Sequence, residues 1–438
     1  MTISQTINQS RLAQIEWASN PTARSAALSA VAANIAAEKE KLIESMVSEV
    51  HKPISEARGE CARAIAILQY FSSAVLDPDG NSYPTSAPNL ILSMRRPYGV
   101  AGLITPWNFP IAIPIWKAAP ALAAGNAVVL KPSEFANETA LLMAEIMNKS
   151  LPENIFTVVS GGSNVGADLV SLADVISFTG SVHVGKLVVA KAAELGKPVQ
   201  AEMGGHNPAI ILPDADLDLL ASSIQIGAFS YSGQKCTATR RIIVVGNESR
   251  KKEVVDVLIS ATDKLVAGDP HDERTVIGPL IHSDSYKNYL NAINSANSSG
   301  RLIVGGKIDT TGTNLPSATL TDGLAFDHYL MCNEVFAPIA HVASVKSAKE
   351  AISLANAVKY GLTASIHTAD LQAALDLSRS LQTGMVKINA PTAGVDFHAP
   401  FGGDKDSSYG MREQGKAALD FYSHTKTVTF NAGQTKFA

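Results

Sequence analysis

The sequence predicts an α/β protein with two doubly wound α/β domains and a small additional β element. Three observations lead to this prediction. Short apolar segments alternate with helical patterns from residue 100 onward, a second alternating series follows Cys236, and one strand-like segment stands apart near the C-terminus. Strands that alternate with helices favour parallel pairing, because a parallel connection has to cross over the sheet.

The first part of the chain, before this alternation, has a helical pattern. Apolar residues recur at helical spacing over 28–35 and again over 42–46, and Pro53 separates this stretch from a second helical segment at 54–76. Residues 77–97 are rich in Pro, Ser, Asn and Gly, which is typical of a connector. An edge strand is expected within it at about 90–94.

The alternating elements can be placed along the chain from the apolar runs. In the first series, strands are expected at 100–104, 127–130, 155–159, 175–178 and 209–212, with helices at about 137–149, 164–172, 183–195 and 216–230. In the second series, strands are expected at 241–245, 360–368 and 385–389, with helices at about 249–265, 283–297 and 370–381. The last strand, 426–430, has no partner nearby in sequence, so we expect it to pair elsewhere or with another subunit.

Composition excludes several classes of protein. The 438 residues carry a net charge of −4 and are 46% hydrophobic but only 17% charged, against about 25% charged in average domains. Intrinsic disorder requires the opposite balance, and a slightly acidic chain lacks the basic footprint of a nucleic-acid-binding protein. The most apolar stretch, 100–130, is interrupted by prolines and a lysine, so it does not indicate a membrane span.

Cysteine usage and the first residues indicate a cytoplasmic location. Cys61, Cys236 and Cys332 are too few and too scattered for a disulfide framework or a metal cluster, so no metal is expected. They are compatible with a reducing compartment, where a lone cysteine can act as a nucleophile. The opening residues show no basic segment followed by an apolar one, and no signal peptide is expected.

Cys236 is the candidate nucleophile. It lies in Ser-Gly-Gln-Lys-Cys-Thr-Ala-Thr, and these small and polar neighbours predict a turn leading into a helix. A helix N-terminus and Lys235 would both favour the thiolate. The alternative is a buried structural cysteine, and that interpretation is kept for Cys61 and Cys332.

Two polar residues at predicted strand ends could assist such a nucleophile. Glu202 directly precedes Met203 and two glycines, and a carboxylate there could act as a general base for water. Asn108 follows the strand at 100–104, where ligands of open α/β sheets collect, and its amide could donate to an oxyanion. The alternatives are a solvated surface glutamate and a turn asparagine beside proline.

Other strand ends suggest a nucleotide site. Lys131 and Glu134 follow a predicted strand and could hold ribose hydroxyls, or could simply form a loop ion pair. Gly180, Ser181 and Gly185 lie near a predicted helix start, which is a favourable place for a phosphate. The full G-x-G-x-x-G pattern is missing, so the glycine spacing alone does not establish the site.

Taken together, these segments resemble the aldehyde dehydrogenase superfamily. The resemblance rests on seven motifs in the family's order: PWNFP at 106–110, KPSE at 131–134, FTGS at 178–181, EMGG at 202–205, GQKC at 233–236, NEVFAP at 333–338 and PFGG at 400–403. Within the superfamily the sequence looks most like the 2-oxoglutarate semialdehyde (2,5-dioxopentanoate) dehydrogenases.

The resemblance implies a covalent mechanism in which Cys236 attacks the aldehyde and later carries a thioester. It implies that Asn108 and the Cys236 backbone N–H hold the oxyanion, and that Glu202 activates water. It further implies a Rossmann-like cofactor domain that binds NAD or NADP. The implied cofactor-binding residues are Ile104, Pro106, Trp107, Lys131, Ser133, Glu134, Gly180, Ser181, Gly185, Gly204, Glu334 and Phe336.

The cofactor, domain and partner expectations follow from the same resemblance. A carboxylate at Glu134 would accept a hydrogen bond from the ribose 2′-OH and repel a 2′-phosphate, so NAD is preferred and NADP remains possible. The NAD-binding domain is expected at 1–78 and 98–204, the catalytic domain at 205–415, and oligomerisation strands at 79–97 and 424–438. The expected partners are an aldehyde and further copies of the chain in a homodimer or homotetramer, with no nucleic acid and no membrane.

The substrate is expected to contact Trp116, Tyr231, Thr237 and His398. A carboxylated semialdehyde needs a cationic or donor-rich anchor, and Arg240 and Arg241 are near Cys236 in sequence. The alternatives are a neutral aliphatic or aromatic aldehyde, a coenzyme A-acylating dehydrogenase, and a catalytically inactive structural protein on the same fold. Glu202 argues against the acylating enzyme, because thiolysis by coenzyme A does not need a base for water.

Overall fold

The computed structural model describes residues 2–86 and 89–431, and these form two large sheets with packed helices, one three-stranded sheet and two two-stranded sheets. The helices are α1 (Ile3–Ser19), α2 (Pro21–Ala37), α3 (Lys39–Val50), α4 (Ile54–Ala74), α5 (Ala112–Ala123), α6 (Asn137–Asn148), α7 (Ser163–Leu172), α8 (Val182–Glu194), α9 (Leu217–Ile224), α10 (Glu248–Thr262), α11 (Ser283–Ser299), α12 (Tyr329–Cys332), α13 (Ala348–Asn356), α14 (Leu371–Ser380) and α15 (Gly415–Phe421). The mixed α/β class is therefore confirmed.

The strands are β1 (Ser82–Tyr83), β2 (Asn89–Pro97), β3 (Val100–Ile104), β4 (Ala127–Lys131), β5 (Phe156–Val158), β6 (Val175–Thr179), β7 (Val199–Glu202), β8 (Asn207–Ile211), β9 (Thr239–Val245), β10 (Val266–Ala267), β11 (Thr275–Ile277), β12 (Arg301–Val304), β13 (Thr319–Asp322), β14 (Ile339–Val345), β15 (Tyr360–Gly361), β16 (Thr363–His367), β17 (Met385–Ile388), β18 (Asp404–Lys405), β19 (Ser408–Tyr409) and β20 (Ser423–Asn431).

The N-terminal helices form where the apolar periodicity predicts them. Asn20 caps α2 by accepting a hydrogen bond from the backbone N–H of Ala23, and Pro21 fits the first helical position. The buried stripe of α2, from Leu28 to Ile35, packs into the same core as α4. His51 ends α3 in a left-handed conformation with φ 53°.

The first large sheet has the order β19-β7-β6-β3-β4-β5. Its strands β3 to β7 are all parallel, and β3 pairs with both β4 and β6 along its length. The strand order reverses at β3, so the loops after β3, β4 and β6 open into a common crevice, where ligands bind in open α/β sheets. This arrangement places Asn108, Lys131 and Ser181 on one edge of the sheet.

The second large sheet has the order β12-β13-β14-β9-β8-β16-β17 and is parallel except for the β12–β13 pair. Three of its strands, β12, β13 and β14, were not expected from the sequence. The chain passes from the first sheet to the second between Glu202 and Asn207, so the loop carrying Gly204 and Gly205 joins the two layers.

The third sheet joins two segments that are far apart in sequence. Strands β2 and β20 pair antiparallel over nine residues, from Asn89 opposite Asn431 to Pro97 opposite Ser423, and β1 adds to the edge of β2. The expected strand at 426–430 thus pairs within its own chain. Leu90 and Phe430 are directly opposite each other, and both are about half exposed.

The expected domain limits stay a prediction. Two features depart from a simple division of the chain at residue 204: β19 pairs with β7 at the edge of the first sheet, and α15 packs into the N-terminal core, although both were expected within or next to the catalytic domain. Part of the expected oligomerisation segment, 432–438, lies outside the described residues, as do residues 1, 87 and 88.

Candidate active site

Two cavities meet at Cys236. The first cavity, of about 340 Å³, is lined by Ser55, Glu56, Gly59, Glu60, Arg63, Phe109, Ala112, Ile113, Trp116, Ile226, Lys235, Cys236, Thr237, Ala393, Gly394, Val395 and Phe401. The second cavity, of about 290 Å³, is lined by Pro106, Trp107, Asn108, Ile113, Thr179, Gly180, Ser181, Met203, Gly204, Cys236, Ser285, Glu334 and Phe336. Cys236 and Ile113 line both, so a molecule in either cavity can reach the sulfur.

The backbone around Cys236 turns sharply before the sulfur. A π-helix at Gln225–Phe229 is followed by Tyr231, Ser232 and Gly233, all with left-handed φ values between 51° and 63°. Asn207 Nδ2 then donates to the Cys236 carbonyl at 2.8 Å. The turn leads into β9 and not into a helix as expected, because the β-branched run that follows Cys236 favours a strand.

Lys235 does not activate the sulfur in the way the sequence suggested. Its Nζ donates to Glu56 Oε1 at 2.9 Å and to Ser230 Oγ at 2.7 Å, so its charge is already neutralised. Burial, with smaller contributions from the Glu334 and Glu202 carboxylates, raises the pKa of the Cys236 thiol to about 12. The sulfur therefore rests as a thiol and needs a proton acceptor to react.

We predict that Glu334→Gln makes Cys236 more reactive in the free enzyme. Burial raises the pKa of Glu334 to about 7, so at about pH 8 it is mostly charged and opposes the thiolate. Removing that charge lowers the pKa of Cys236, and alkylation by iodoacetamide should accelerate roughly three- to tenfold. In the unsubstituted enzyme the alkylation rate should rise steadily from about pH 7 to about pH 10. The exposed Glu253→Gln serves as control, and an unchanged rate in Glu334→Gln would contradict the electrostatic account.

A hydrogen bond from its own side chain to the backbone fixes the position of Asn108. The loop after β3 buries Asn108, and its Nδ2 donates to the Gln234 carbonyl at 2.9 Å. Because a carboxamide has two N–H donors, this bond fixes the amide and leaves the second N–H for a ligand. Asn108 and Cys236 line the same cavity, which brings the expected oxyanion donor and the expected nucleophile together.

Glu202 lies behind the cavities at the end of β7. Its Oε2 accepts a hydrogen bond from Ser408 Oγ at 2.5 Å, and its buried Oε1 has no partner in the described part of the chain. Burial and the nearby Glu413 carboxylate raise the pKa of Glu202 well above its ordinary value, and Ser408 opposes this. The carboxyl group belongs to the lining of neither cavity, so it has to turn toward Cys236 to act on a water there.

A buried ion pair that the sequence did not reveal lies beside Glu202. Lys117 Nζ contacts Glu413 Oε1 and also donates to Ser177 Oγ at 2.8 Å. Both partners are almost completely buried, and Glu413 is one of the charges that act on Glu202. The available signal was a lysine in the middle of α5, whose residues are otherwise all apolar and all buried.

The expected nucleotide residues gather at the ends of β3 and β4. Lys131 Nζ donates to the Pro132 carbonyl at 2.8 Å, Ser133 Oγ accepts from the Phe135 N–H, and Ile104 ends β3 next to Lys131. The Glu134 carboxylate faces Gly162, where an added Cβ would lie 3.4 Å from Oε1.

The second cavity has a glycine-lined wall that suits a large ligand. An added Cβ on Gly204 would lie 2.2 Å from Glu334 Oε2, and the Gly205 N–H donates to Glu334 Oε1 at 3.3 Å. Trp107 and Phe336 meet edge to face at 5.8 Å between ring centroids. The buried Thr179 Oγ1 has no partner among the described residues. Such a cradle, with an unused polar atom and a positioned carboxylate, fits a dinucleotide.

The helix start after β6 completes this wall. Ser181 caps α8 by accepting from the Val184 N–H at 3.3 Å, and Pro106 and Gly180 line the same cavity. Gly185 lies one turn further, where a Cβ would collide with Met203 Sδ at 2.4 Å. Gly185 therefore serves the close packing of α8 on the site.

The expected substrate residues divide into two groups. Trp116 and Thr237 line the first cavity. Tyr231 does not, because its side chain is fully buried behind Phe109 and its hydroxyl donates to the Val50 carbonyl at 3.4 Å. His398 does not either, because its loop turns it outward to solvent, with its ring against Phe397.

Arg240 and Arg241 are also excluded as anchors. Both are fully buried, and within the described ranges their guanidinium groups donate only to backbone carbonyls, which include Gly233 and Ala337 for Arg240 and His206 for Arg241. Within residues 2–86 and 89–431 there is no group of three or more His, Cys, Asp or Glu side chains arranged to hold a metal ion. No helix in the described ranges is long and apolar enough to cross a membrane.

A doubly wound crevice that meets a cysteine and an amide donor, with a buried carboxyl group behind them, is typical of a cysteine-dependent oxidoreductase. Comparison with known families agrees: the model of the aldehyde dehydrogenase family matches residues 1–428, and the chain belongs to this family. It is an enzyme that oxidises a small-molecule aldehyde with NAD(P).

Individual relatives cover most of the chain. It is 41% identical over 394 residues to alpha-ketoglutaric semialdehyde dehydrogenase of Bacillus subtilis, and the alignment covers 87% of this chain and 80% of that protein. It is 39% identical over 428 residues to alpha-ketoglutarate semialdehyde dehydrogenase of Haloferax volcanii, and this alignment covers 95% of the chain and 88% of that protein. The crystal structure of an NAD-dependent aldehyde dehydrogenase from Sinorhizobium meliloti superposes with a TM-score of 0.94 at 32% identity, covering 98% of this chain and 87% of that one.

Proposed function

We propose that the enzyme oxidises a carboxylated semialdehyde such as 2,5-dioxopentanoate to the dicarboxylic acid, with NAD as the preferred cofactor. The observation that carries the proposal is the position of Cys236 at the junction of two cavities. We assign the first cavity to the aldehyde and the second to the nicotinamide. The names of the two relatives in Bacillus subtilis and Haloferax volcanii support this substrate class.

The residues of the site divide the reaction into two covalent stages. The Cys236 thiol gives its proton to solvent as its sulfur bonds to the aldehyde carbon, and the carbonyl oxygen receives the electron pair as an oxyanion held by Asn108 Nδ2 and the Cys236 N–H. Bound in the second cavity, NAD supplies the hydride acceptor. Cys236 then holds the acyl group as a thioester until Glu202 takes a proton from water, whose oxygen attacks the carbonyl and displaces the sulfur.

The remaining polar residues hold the cofactor in this proposal. Lys131, Ser133 and Glu134 bind the adenosine ribose, Ser181 and Gly180 receive the pyrophosphate at the start of α8, and Glu334 binds the nicotinamide ribose. Trp107 and Phe336 border the nicotinamide side of the cavity. The hydrogen-bonded Glu334 carboxylate and the open wall at Gly204 support these assignments.

We predict that Asn108→Ala slows the chemical step. Removing one oxyanion donor typically costs roughly 10²–10³ in rate, and the Gln234 carbonyl also loses its partner. The drop in kcat is measured by NADH formation with 2,5-dioxopentanoate. Asn148→Ala, on α6 and outside both cavities, is the control. A variant of Asn108 that retains full kcat would remove this residue from the mechanism.

We predict that Glu134→Gln weakens the preference for NAD. The Glu134 carboxylate would repel the 2′-phosphate of NADP, and Lys131 compensates only in part because its Nζ is engaged by the Pro132 carbonyl. The ratio of kcat/KM for NAD to that for NADP should fall about tenfold. The neighbouring Glu138→Gln provides a charge-matched control. A ratio that stays the same would place the origin of cofactor selectivity elsewhere.

A panel of aldehydes tests the proposed function as a whole. Carboxylated, neutral aliphatic and aromatic aldehydes are oxidised with NAD and with NADP, each in the presence and absence of coenzyme A. We expect the highest kcat/KM for the carboxylated semialdehyde, with NAD and without coenzyme A. A higher value for a neutral aldehyde would assign the enzyme to that class, and absolute dependence on coenzyme A would overturn the hydrolytic mechanism.

We also propose that the chain forms a homodimer or homotetramer in the cytoplasm. The exposed apolar side chains of Leu90, Met94 and Phe430 on β2 and β20 support burial by another copy. A monomer by light scattering at micromolar concentration would contradict this assembly.

A further inference from the structure

One face of α4 forms a charged wall of the first cavity. Glu56, Gly59, Glu60 and Arg63 recur at the three- and four-residue spacing that aligns side chains on a helix, and all four line the cavity. Among the residues that the structure describes, Lys235 is the only other charged residue in the lining. The cavity therefore exposes four charged groups to a substrate, and their pairing decides which charge remains available.

Three of these four charges are neutralised within the protein. Glu60 Oε2 contacts Lys52 Nζ, and its Oε1 accepts from the backbone N–H groups of Ile111 and Ala112 at 2.8 Å each. Glu56 Oε1 pairs with Lys235 Nζ at 2.9 Å. The two carboxylates are therefore not free to attract a cationic substrate, and the lysine is not free to attract an anion.

Arg63 is the remaining charge. Its side chain is half-buried, and its Nη1 donates to the carbonyl of Val395, which also lines the cavity. It makes no ion pair with any residue in 2–86 or 89–431. A guanidinium group has five N–H donors in a planar fork that matches a carboxylate, so most of its donors are available to a ligand in the first cavity.

We propose that Arg63 binds the carboxylate of the aldehyde substrate and sets the specificity of the enzyme. This inference rests on the proposed function and supplies the cationic anchor that Arg240 and Arg241 do not provide. The substrate extends from Cys236, where the aldehyde carbon reacts, to Arg63 at the α4 wall of the same cavity. A free guanidinium group and two internally paired carboxylates also disfavour aldehydes that carry an ammonium group.

Two substitutions of Arg63 test the anchor. Arg63→Gln removes the charge but can still donate to the Val395 carbonyl, and Arg63→Lys retains the charge without the fork. For 2,5-dioxopentanoate relative to pentanal, kcat/KM should fall roughly 10- to 100-fold in Arg63→Gln, mainly through KM, with partial rescue in Arg63→Lys. Arg58→Gln is the matched control, because Arg58 is on the same helix but pairs with Glu273 at the surface.

Inhibition by glutarate gives a readout that does not depend on turnover of a particular aldehyde. We expect glutarate to compete with the aldehyde, and its inhibition constant to rise roughly 10-fold or more in Arg63→Gln but not in Arg58→Gln. If the unsubstituted enzyme prefers 2,5-dioxopentanoate to pentanal and Arg63→Gln keeps that preference, the assignment of Arg63 as the carboxylate anchor is wrong, although the proposed function stands. If unsubstituted enzyme shows no such preference and no inhibition by glutarate, both are overturned.

Discussion

Cys236→Ala should abolish aldehyde oxidation. Without the sulfur no thiohemiacetal forms, and removal of a catalytic nucleophile costs roughly 10⁴-fold or more in kcat. The fold should be retained, because Cys236 is followed by a turn whose backbone is fixed by Asn207 through the residue 236 carbonyl, and alanine preserves that contact. The measurement is NADH formation with saturating 2,5-dioxopentanoate, together with the melting temperature of the variant.

Cys332→Ala is the matched control for this loss. Cys332 is also a partly exposed free cysteine, but it ends α12 and lines neither of the two cavities. Its replacement should leave kcat within about twofold. Appreciable oxidation by Cys236→Ala would show that another group attacks the aldehyde or that no covalent step occurs.

Glu202→Gln should separate the two stages of the reaction. The amide cannot take a proton from water, so hydrolysis of the thioester slows by about 100-fold or more, whereas attack by Cys236 and oxidation proceed. Rapid mixing with 2,5-dioxopentanoate and NAD should then give a burst of NADH equal to the enzyme concentration, followed by a slow steady state. In the unsubstituted enzyme, the rates of NADH formation in the burst and in the steady state should differ less.

The position of Glu202 also sets an expected pH dependence. Because burial and Glu413 raise its pKa, the base is lost by protonation at a higher pH than an exposed glutamate would be, and the steady-state rate should fall as the pH is lowered. Glu194→Gln, on the exposed face of α8, should change neither the burst nor this profile. A Glu202→Gln variant that loses burst and steady state equally would assign Glu202 to the oxidation stage.

Local sequence pattern was sufficient for strands that form from continuous apolar runs, such as β3 and β4. The run that forms β3 is continuous and apolar, and its observed limits, Val100–Ile104, are those expected. The pattern failed for β13 and β14, because Thr319–Asp322 has polar side chains at buried positions and Ile339–Val345 contains His341 and Ser344. These strands exist because distant segments pair with them, which a local window does not show.

The site residues that lie in local motifs could likewise be predicted from the sequence, whereas those positioned by long-range packing could not. Asn108 and Cys236 were predicted together because each lies in a distinctive motif, and the fold brings both to one cavity. Tyr231 and His398 were predicted to contact the substrate because they are close in sequence to such motifs. The backbone directs Tyr231 into the core and His398 toward solvent. Arg63 was missed because α4 precedes every motif, and only helix packing brings it to the cavity wall.

The most direct test of the covalent mechanism is to identify the residue that carries the acyl group. Glu202→Gln is mixed with NAD and 2,5-dioxopentanoate, quenched with acid after the burst, digested and analysed by mass spectrometry. The account predicts an acyl adduct on the peptide that contains Cys236 and none on the peptides with Cys61 or Cys332. NADH formation without an adduct on the Cys236 peptide would contradict it.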